Sequence, residues 1–363
     1  MTRYNAENER IKEKYFTYEL EANGKSKKTV ENIRKALTRY EEFTGHASFK
    51  LFNDTCAVEF KAHLLKAQNK HGKPLSASTI AHTLLPLMDF LKWLAVQPSY
   101  KSRIQYADIN YLKLKDKDRR SLQPVTLKQY PSSAQIKAVL AAMPNNTDIE
   151  KRNKAIIAFV FATGVRDGAL ITLKLKHLNI VKKQLVQNPK EVDTKFGKHI
   201  YTRFYPVGED IHQIITDWVS YIREVKLFTD NDPLFPKEEL IHDEEMGFKG
   251  GTLSHEHWKS ASTVRGIFKQ AFAKATLPYY SPHRFRDTLS AIGREVCTTT
   301  EEQMAWARNM GHENPGTTFI TYGGFTPEQQ FAAIERIGNN AGQVERLIDA
   351  NAIAEAVAKR LGK

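Results

Sequence analysis

Cysteine is nearly missing from this chain: two in 363 residues, Cys56 and Cys297. Two thiols so far apart make neither a disulfide framework nor a zinc motif. Long apolar runs are missing too, none approaching the ~18 to 20 residues that a bilayer-crossing helix needs. The opening MTRYNAENERIKEKYF is polar and charged, without the apolar core of a signal peptide. There is no GxxxxGK phosphate loop, no internal repeat and no low-complexity tract. These absences point to a soluble protein of a reducing compartment, cytoplasmic and with no membrane partner.

What is present has a direction. Hydrophobic residues at 41% and charged ones at 26% suit packed cores, and the length suits two domains. Lys and Arg number 54 against 41 Asp and Glu, a net charge of +13. Residues 1–125 hold 23 basic and 14 acidic side chains, a net of +9, while the remaining 238 carry only +4. A first third this basic suits a polyanion partner.

The first hundred residues read as a small helical bundle. Val30, Ile33, Leu37 and Tyr40 recur at helical spacing, as do Ile80, Leu84, Leu87, Leu91 and Leu94. Asp54 is the expected N-cap of a helix carrying Phe60 and Leu64. Over 107–125 the apolar period lapses and KLKDKDRRS alternates charge with a basic surplus, as in a solvated linker or one lying along phosphates. Helical spacing resumes with Ile136, Val139, Leu140 and Met143, and AIIAFVFATG is apolar nearly all round, hence buried. From Leu178 to Pro206 alternating β-branched and aromatic residues, broken at Phe196-Gly197, predict a small antiparallel sheet with a hairpin. Helices are expected at 209–227 and 256–275, with an acidic loop over 228–254 facing away from any DNA. Beyond Gly338 the stripe Val344, Leu347, Ala354, Val357 and Leu361 predicts a last helix, packed on its own domain or docked on a neighbouring subunit.

Three segments hold unusual polar residues in apolar helical surroundings. In ATGVRDGAL, Arg166 follows a buried helix and needs a partner, either a structural carboxylate or a ligand phosphate. In SPHRFRDTLSAI, Pro282 fits a first helical turn and places His283 and Arg286 on one face. The arginine favours a neutral His283, able to accept a proton. In NMGHENPGTTFITYGG, His312 follows a glycine and Tyr322 precedes two, where backbone freedom suits a nucleophile.

Taken in that order, TGVRDGALITLKLKHL, PHRFRDT and MGHENPGTTFITYG resemble the tyrosine recombinases, the lambda-integrase-like DNA strand-exchange enzymes. The resemblance covers roughly 135–340, and the basic helical part before it is similar to the family's core-binding domain in type only. It implies a mainly α fold with a small antiparallel β-sheet. A core-binding domain (1–106), a basic linker (107–125) and a catalytic domain (126–340) would form a C-shaped clamp on DNA. The final helix (341–363) would be a candidate for exchange between subunits. Carried over by position, the two arginines fall on Arg166 and Arg286, the histidines on His283 and His312, and the nucleophile on Tyr322. The hairpin lysine falls on Lys195, with Lys198 as the alternative. The pattern departs in two places. Ala169 stands where an acidic residue often follows the first arginine, with Asp167 nearby instead, and the step from His312 to Tyr322 is one residue longer than usual.

The chemistry suits these residue types. Two arginines neutralise the non-bridging oxygens of a phosphodiester in the transition state. A tyrosine hydroxyl, with a pKa of about 10, loses its proton as it attacks, and His283 is positioned by type to take it. Lys195 protonates the departing 5′ oxygen, and His312 hydrogen-bonds the phosphate. The resulting 3′-phosphotyrosyl bond keeps the energy of the ester, so no cofactor, metal or ATP is expected. The implied partners are double-stranded target DNA, with the enzyme nucleoid-associated when bound. They extend to three further copies in a synaptic tetramer and, where a site requires them, accessory DNA-bending proteins. The setting expected is the integrase or excision recombinase of a mobile element. Rival readings are a type IB topoisomerase, a non-catalytic DNA-binding relative, and a metal-dependent hydrolase built on His242, His255, His257 and His283.

Overall fold

The computed structural model describes residues 5–69, 71–121, 129–243, 247–321 and 331. The chain divides into two compact units, Met1–Thr126 and Leu127–Lys363. Both Tyr322 and the helix expected at 341–363 lie outside the described residues.

The first unit is helical, with α1 (Ala6–Glu21), α2 (Lys27–Thr44), α3 (Asp54–Lys66), α4 (Ala77–Leu94) and the short α5 (Tyr106–Ile109) and α6 (Asp116–Ser121). The four long helices start on side-chain caps, Asn5, Ser26, Asn53 and Ser76, whose oxygens satisfy otherwise orphaned first-turn N–H groups. The cap of α3 is therefore Asn53, which accepts from the Cys56 N–H at 2.9 Å. Asp54 sits one place inside, where its charge faces the positive end of the helix dipole. The expected stripes on α2, α3 and α4 are buried, and edge-on aromatic packing of Tyr15 and Phe49 on Phe90 fills the centre. One polar cluster is buried there: Lys12 Nζ lies 2.5 Å from Glu41, and Asn8 bridges Glu41 and the Ala47 carbonyl. Residues 107–125 are less of a linker than the lapse of period suggests, because Ile109 and Leu112 complete this core. Two apolar residues three apart are too few to register as a periodic pattern.

The second unit contains α7 (Ser133–Ala142), α8 (Asp148–Thr163), α9 (Asp167–Leu170), β1 (Leu178–Asn179), β2 (Gln184–Gln187), β3 (Ile200–Arg203) and α10 (Glu209–Ser220). It continues through β4 (Glu238–Asp243), β5 (Gly247–Leu253), α11 (Ser262–Lys274), α12 (Arg284–Val296) and α13 (Thr300–Asn309). Buried from Ala155 to Thr163, α8 is the central helix. Phe159 meets Phe204 and Phe235, and Phe161 meets Phe285 of α12. The strands β1, β2 and β3 form the expected antiparallel sheet, with Val186 opposite Tyr201.

Two expectations need correction. Residues 228–254 are not all loop: β4 and β5 pair antiparallel across 238–253. A register shift between Glu239 and Leu240, together with Gly250 and Gly251, breaks the two-residue alternation by which a strand is recognised. The helix expected from 256 begins only at Ser262, and that expected over 209–227 ends as a π-helical turn, Tyr221–Val225.

Candidate active site

The site grows from the end of α8. That helix stops at Gly164, which adopts a left-handed φ of 61°, a conformation open to glycine without Cβ strain. The reversal turns the Gly164 carbonyl toward Arg286, whose Nη1 donates to it. Arg286 is 1% exposed, and its Nη2 donates to the Met310 carbonyl at 2.9 Å and to His312 Nε2 at 2.6 Å. One guanidinium thus joins the end of α8, the first turn of α12 and the segment after α13.

Arg286 determines the state of His312. A guanidinium has no acceptor, so His312 Nε2 must accept, and the ring proton sits on Nδ1, 2.7 Å from Thr318 Oγ1. Protonating Nε2 would break the arginine bond and set two cations together. Burial first, then the charges of Arg286 and Arg166, lower the His312 pKa to about 3. The imidazole is therefore neutral at any physiological pH. Unfolded histidine titrates near ~6.5, so between these values the unfolded chain binds the extra proton, and stability falls as pH falls. The contribution is full above pH ~6.5 and about 2 kcal/mol of it should be gone at pH ~5. His312→Gln, whose amide oxygen still accepts from Arg286, should remove that component. Urea midpoints of both proteins on either side of this window check it, and equal acid losses would refute it.

The β2–β3 loop brings the lysines. Thr202 Oγ1 donates to the Asn309 carbonyl at 2.8 Å, while the Asn309 amide exchanges two bonds with the Arg203 backbone, at 2.6 and 2.8 Å. The hairpin is thereby clamped to the end of α13, two residues before Gly311. At Gly311, φ is +76°, and a Cβ would meet Ile200 of β3 at 2.8 Å, so glycine is required for this approach. Lys195 is exposed in the loop, and its charge is among those depressing the His312 pKa. Its ammonium forms no ion pair among the described residues and lies over the Phe196 ring at 4.8 Å. Lys198 is instead tied to Glu313 at 2.5 Å.

Arg166 is half-buried at the start of α9 and forms no hydrogen bond or ion pair through its side chain among the described residues. Asp167 does not hold it: that carboxylate pairs with Arg265 at 2.8 Å. His283 stands one residue ahead of α12 with helical dihedral angles. Pro282 therefore precedes the helix instead of forming its first turn. Partly desolvated, and facing Arg286 and Arg166 with Asp287 opposing, His283 has a pKa below that of free histidine. The structure thus gathers Arg166, Lys195, His283, Arg286 and His312, while Tyr322 lies outside the described residues. His255 bonds Asp232 and His257 the Ile171 carbonyl, each through Nδ1, and among the described residues no three His, Cys, Asp or Glu side chains are grouped so as to hold a metal ion. Sequence reading missed Thr318 and Asn309, the supports of His312 and of the hairpin. A residue six positions from its partner, or over a hundred from it, leaves no periodic signal.

Residues 131–326 match the model of the phage integrase family. The chain belongs to that family. Its curated relatives include the tyrosine recombinase XerD of Vibrio cholerae, 25% identical over 215 residues, covering 59% of this chain and 64% of that protein. XerD of Oceanobacillus iheyensis is 23% identical over 316 residues, covering 85% and 91%. Among solved structures, a lambda integrase dimer bound to a COC′ core site has a TM-score of 0.60 at 12% identity, covering 87% of this chain and 94% of that one. The Tn1549 transposon integrase in complex with transposon right end DNA has a TM-score of 0.52 at 16% identity, covering 89% and 98%. At such identities the likeness is one of fold: the mainly helical phage integrase fold with small antiparallel sheets.

Proposed function

We propose that this phage integrase family member is a site-specific DNA recombinase that cuts and rejoins duplex DNA through Tyr322, with a mobile element as its setting. The observation that carries the proposal is the gathering of Arg166, Lys195 and His283 around the Arg286–His312 pair. Such a cationic group is built to receive one phosphate. The Tyr322 oxygen attacks the scissile phosphorus, the bond to the 5′ oxygen breaks, and a 3′-phosphotyrosyl bond forms. His283, kept neutral, takes the phenolic proton, and Lys195 returns one to the leaving 5′ oxygen. A 5′ hydroxyl from the partner duplex then attacks the phosphotyrosine, and the tyrosine leaves. The ester energy is conserved, so the cycle should run without ATP and in the presence of a chelator. The basic first unit would grip the target, and four copies would complete the exchange.

In the arrangement described, His312 acts by orienting Arg286, since its two ring nitrogens are engaged by Arg286 and Thr318. Binding a phosphate directly would require it to change partners.

The test uses nicked duplexes carrying the sequences that flank the gene, incubated with protein in chelator without ATP. A slower, protease-sensitive band on a denaturing gel supports the proposal. Tight, salt-sensitive binding with no band favours a non-catalytic DNA-binding relative, and relaxation of plasmid lacking any site favours a topoisomerase. We assign the acid to Lys195, which forms no ion pair among the described residues, in preference to Lys198, which is paired with Glu313. Lys195→Met should slow adduct formation by roughly 10²- to 10⁴-fold, and a substrate with a bridging 5′ sulfur, which leaves unprotonated, should restore it. Lys198→Met should stay close to the parent protein, losing only an exposed ion pair worth about 1 kcal/mol or less. The reverse pattern would move the assignment to Lys198.

A further inference from the structure

Phe196 is placed where packing gives it nothing. Its ring is 79% exposed, more than any other aromatic side chain among the described residues. Its backbone is left-handed, with φ 64° and ψ 21°, in a region that bulky L-residues enter only under strain. Gly197, at φ 61°, follows it, and the turn closes through the Gly197 N–H to the Thr194 carbonyl at 3.2 Å. Apart from this turn, the ring meets two cations, Lys195 Nζ at 4.8 Å and Lys198 Nζ at 5.9 Å from its centre. A phenyl left in water on a strained backbone gains nothing from burial, and what it holds beside it is two cations. It suits a ligand with anionic edges and an apolar, stackable interior.

The hairpin carrying this ring is clamped to α13 by the Asn309–Arg203 bonds. Lys195, its neighbour in sequence, lies close enough to His312 to act on its charge. Lys198, at the other side of the ring, pairs with Glu313, the residue after His312, so the ring lies on the same side of the hairpin as the group proposed to hold the phosphate. We infer that Phe196 enters the groove beside that phosphate and stacks on a base of the adjoining step, with Lys195 at the neighbouring backbone. Apolar side chains used this way partly unstack a base step, and a sequence-dependent opening energy then contributes to site choice. Phe196 is thereby a specificity-determining residue, and this assignment rests on the recombinase reading above.

The test compares the full-length parent protein with Phe196→Ala, Phe196→Trp and Phe196→Gly on the nicked flanking duplexes, with 2-aminopurine replacing each base near the nick in turn. The parent should raise 2-aminopurine fluorescence at one step on binding. Phe196→Ala should abolish that rise and slow adduct formation about tenfold, the scale of one lost base–aromatic stack. A mismatch at the same step should recover most of the loss, and Phe196→Trp should restore both signals. Glycine suits the left-handed backbone, so Phe196→Gly should melt no earlier than the parent while sharing the alanine defect, which separates function from folding. An unchanged fluorescence rise and adduct rate in Phe196→Ala would overturn the inference. So would a defect confined to assembly of several protomers, which would place the ring against a second copy. Should the parent form no adduct on any duplex, the recombinase reading fails, while the fluorescence of the bound complexes still decides whether Phe196 stacks.

Discussion

Tyr322→Phe should bind the nicked duplexes with an affinity within about twofold of the parent and form no covalent adduct, a fall of roughly four or more orders of magnitude in rate. The substitution removes one oxygen. No other group in the proposed site can replace it, because His312 is held neutral between Arg286 and Thr318 and the remaining members are cations or a proton acceptor. Attack by water in its place would leave a free 3′ phosphate and no protein–DNA bond, so it could not produce the adduct. Denaturing gels read the adduct and mobility-shift titrations read the binding. An adduct that persists in Tyr322→Phe would end the assignment of the nucleophile and, with it, the carry-over of the MGHENPGTTFITYG segment. Loss of binding alongside loss of the adduct would instead give Tyr322 a positioning role.

The second large effect separates the two arginines. Arg286→Met should lose adduct formation by about 10²- to 10³-fold or more, the scale for one preorganised donor, and should also unfold more readily by about 3 to 5 kcal/mol. The stability loss follows from burial: Arg286 is 1% exposed, and its removal strands the carbonyls of Gly164 and Met310 along with His312 Nε2. Each stranded buried acceptor costs about 1 to 3 kcal/mol before relaxation. Arg166→Met should match it in activity and differ in stability, shifting the urea midpoint by less than about 0.5 kcal/mol equivalent. Its side chain bonds nothing else among the described residues. Adduct assays at a temperature where both variants remain folded, paired with urea melts, give the comparison. A strong destabilisation in Arg166→Met would show that the arginine has a structural carboxylate after all.

The helices were legible in the sequence because burial imposes a period. The stripes on α2, α4 and α7, and the all-round apolar α8, are consequences of a 3.6-residue repeat meeting an apolar core. The β1–β2–β3 sheet was legible for the parallel reason at a period of two. Where the period was interrupted, legibility stopped: the β4–β5 pair is disguised by a register shift and glycines, and the helical ends of the first unit by a stretch of alternating charge.

The sequence by itself determined the candidate set, because Arg166, HxxR, the GH step and Tyr322 in order form a pattern that survives without coordinates. The tertiary structure decided what those residues are to one another. Asp167 stands beside Arg166 in the chain yet pairs with Arg265. Lys195 and Lys198 are equivalent in type, and the fold distinguishes them: Lys198 pairs with Glu313, 115 positions away, while the charge of Lys195 acts on His312. The neutral state of His312 belongs to neither histidine nor motif but to its burial and then to Arg286, 26 residues earlier and 2.6 Å distant. Periodicity and motif order are one-dimensional properties, carried by neighbours along the chain. Partner choice, tautomer and pKa arise from charges and hydrogen bonds at a few ångströms, and only the fold brings those groups together.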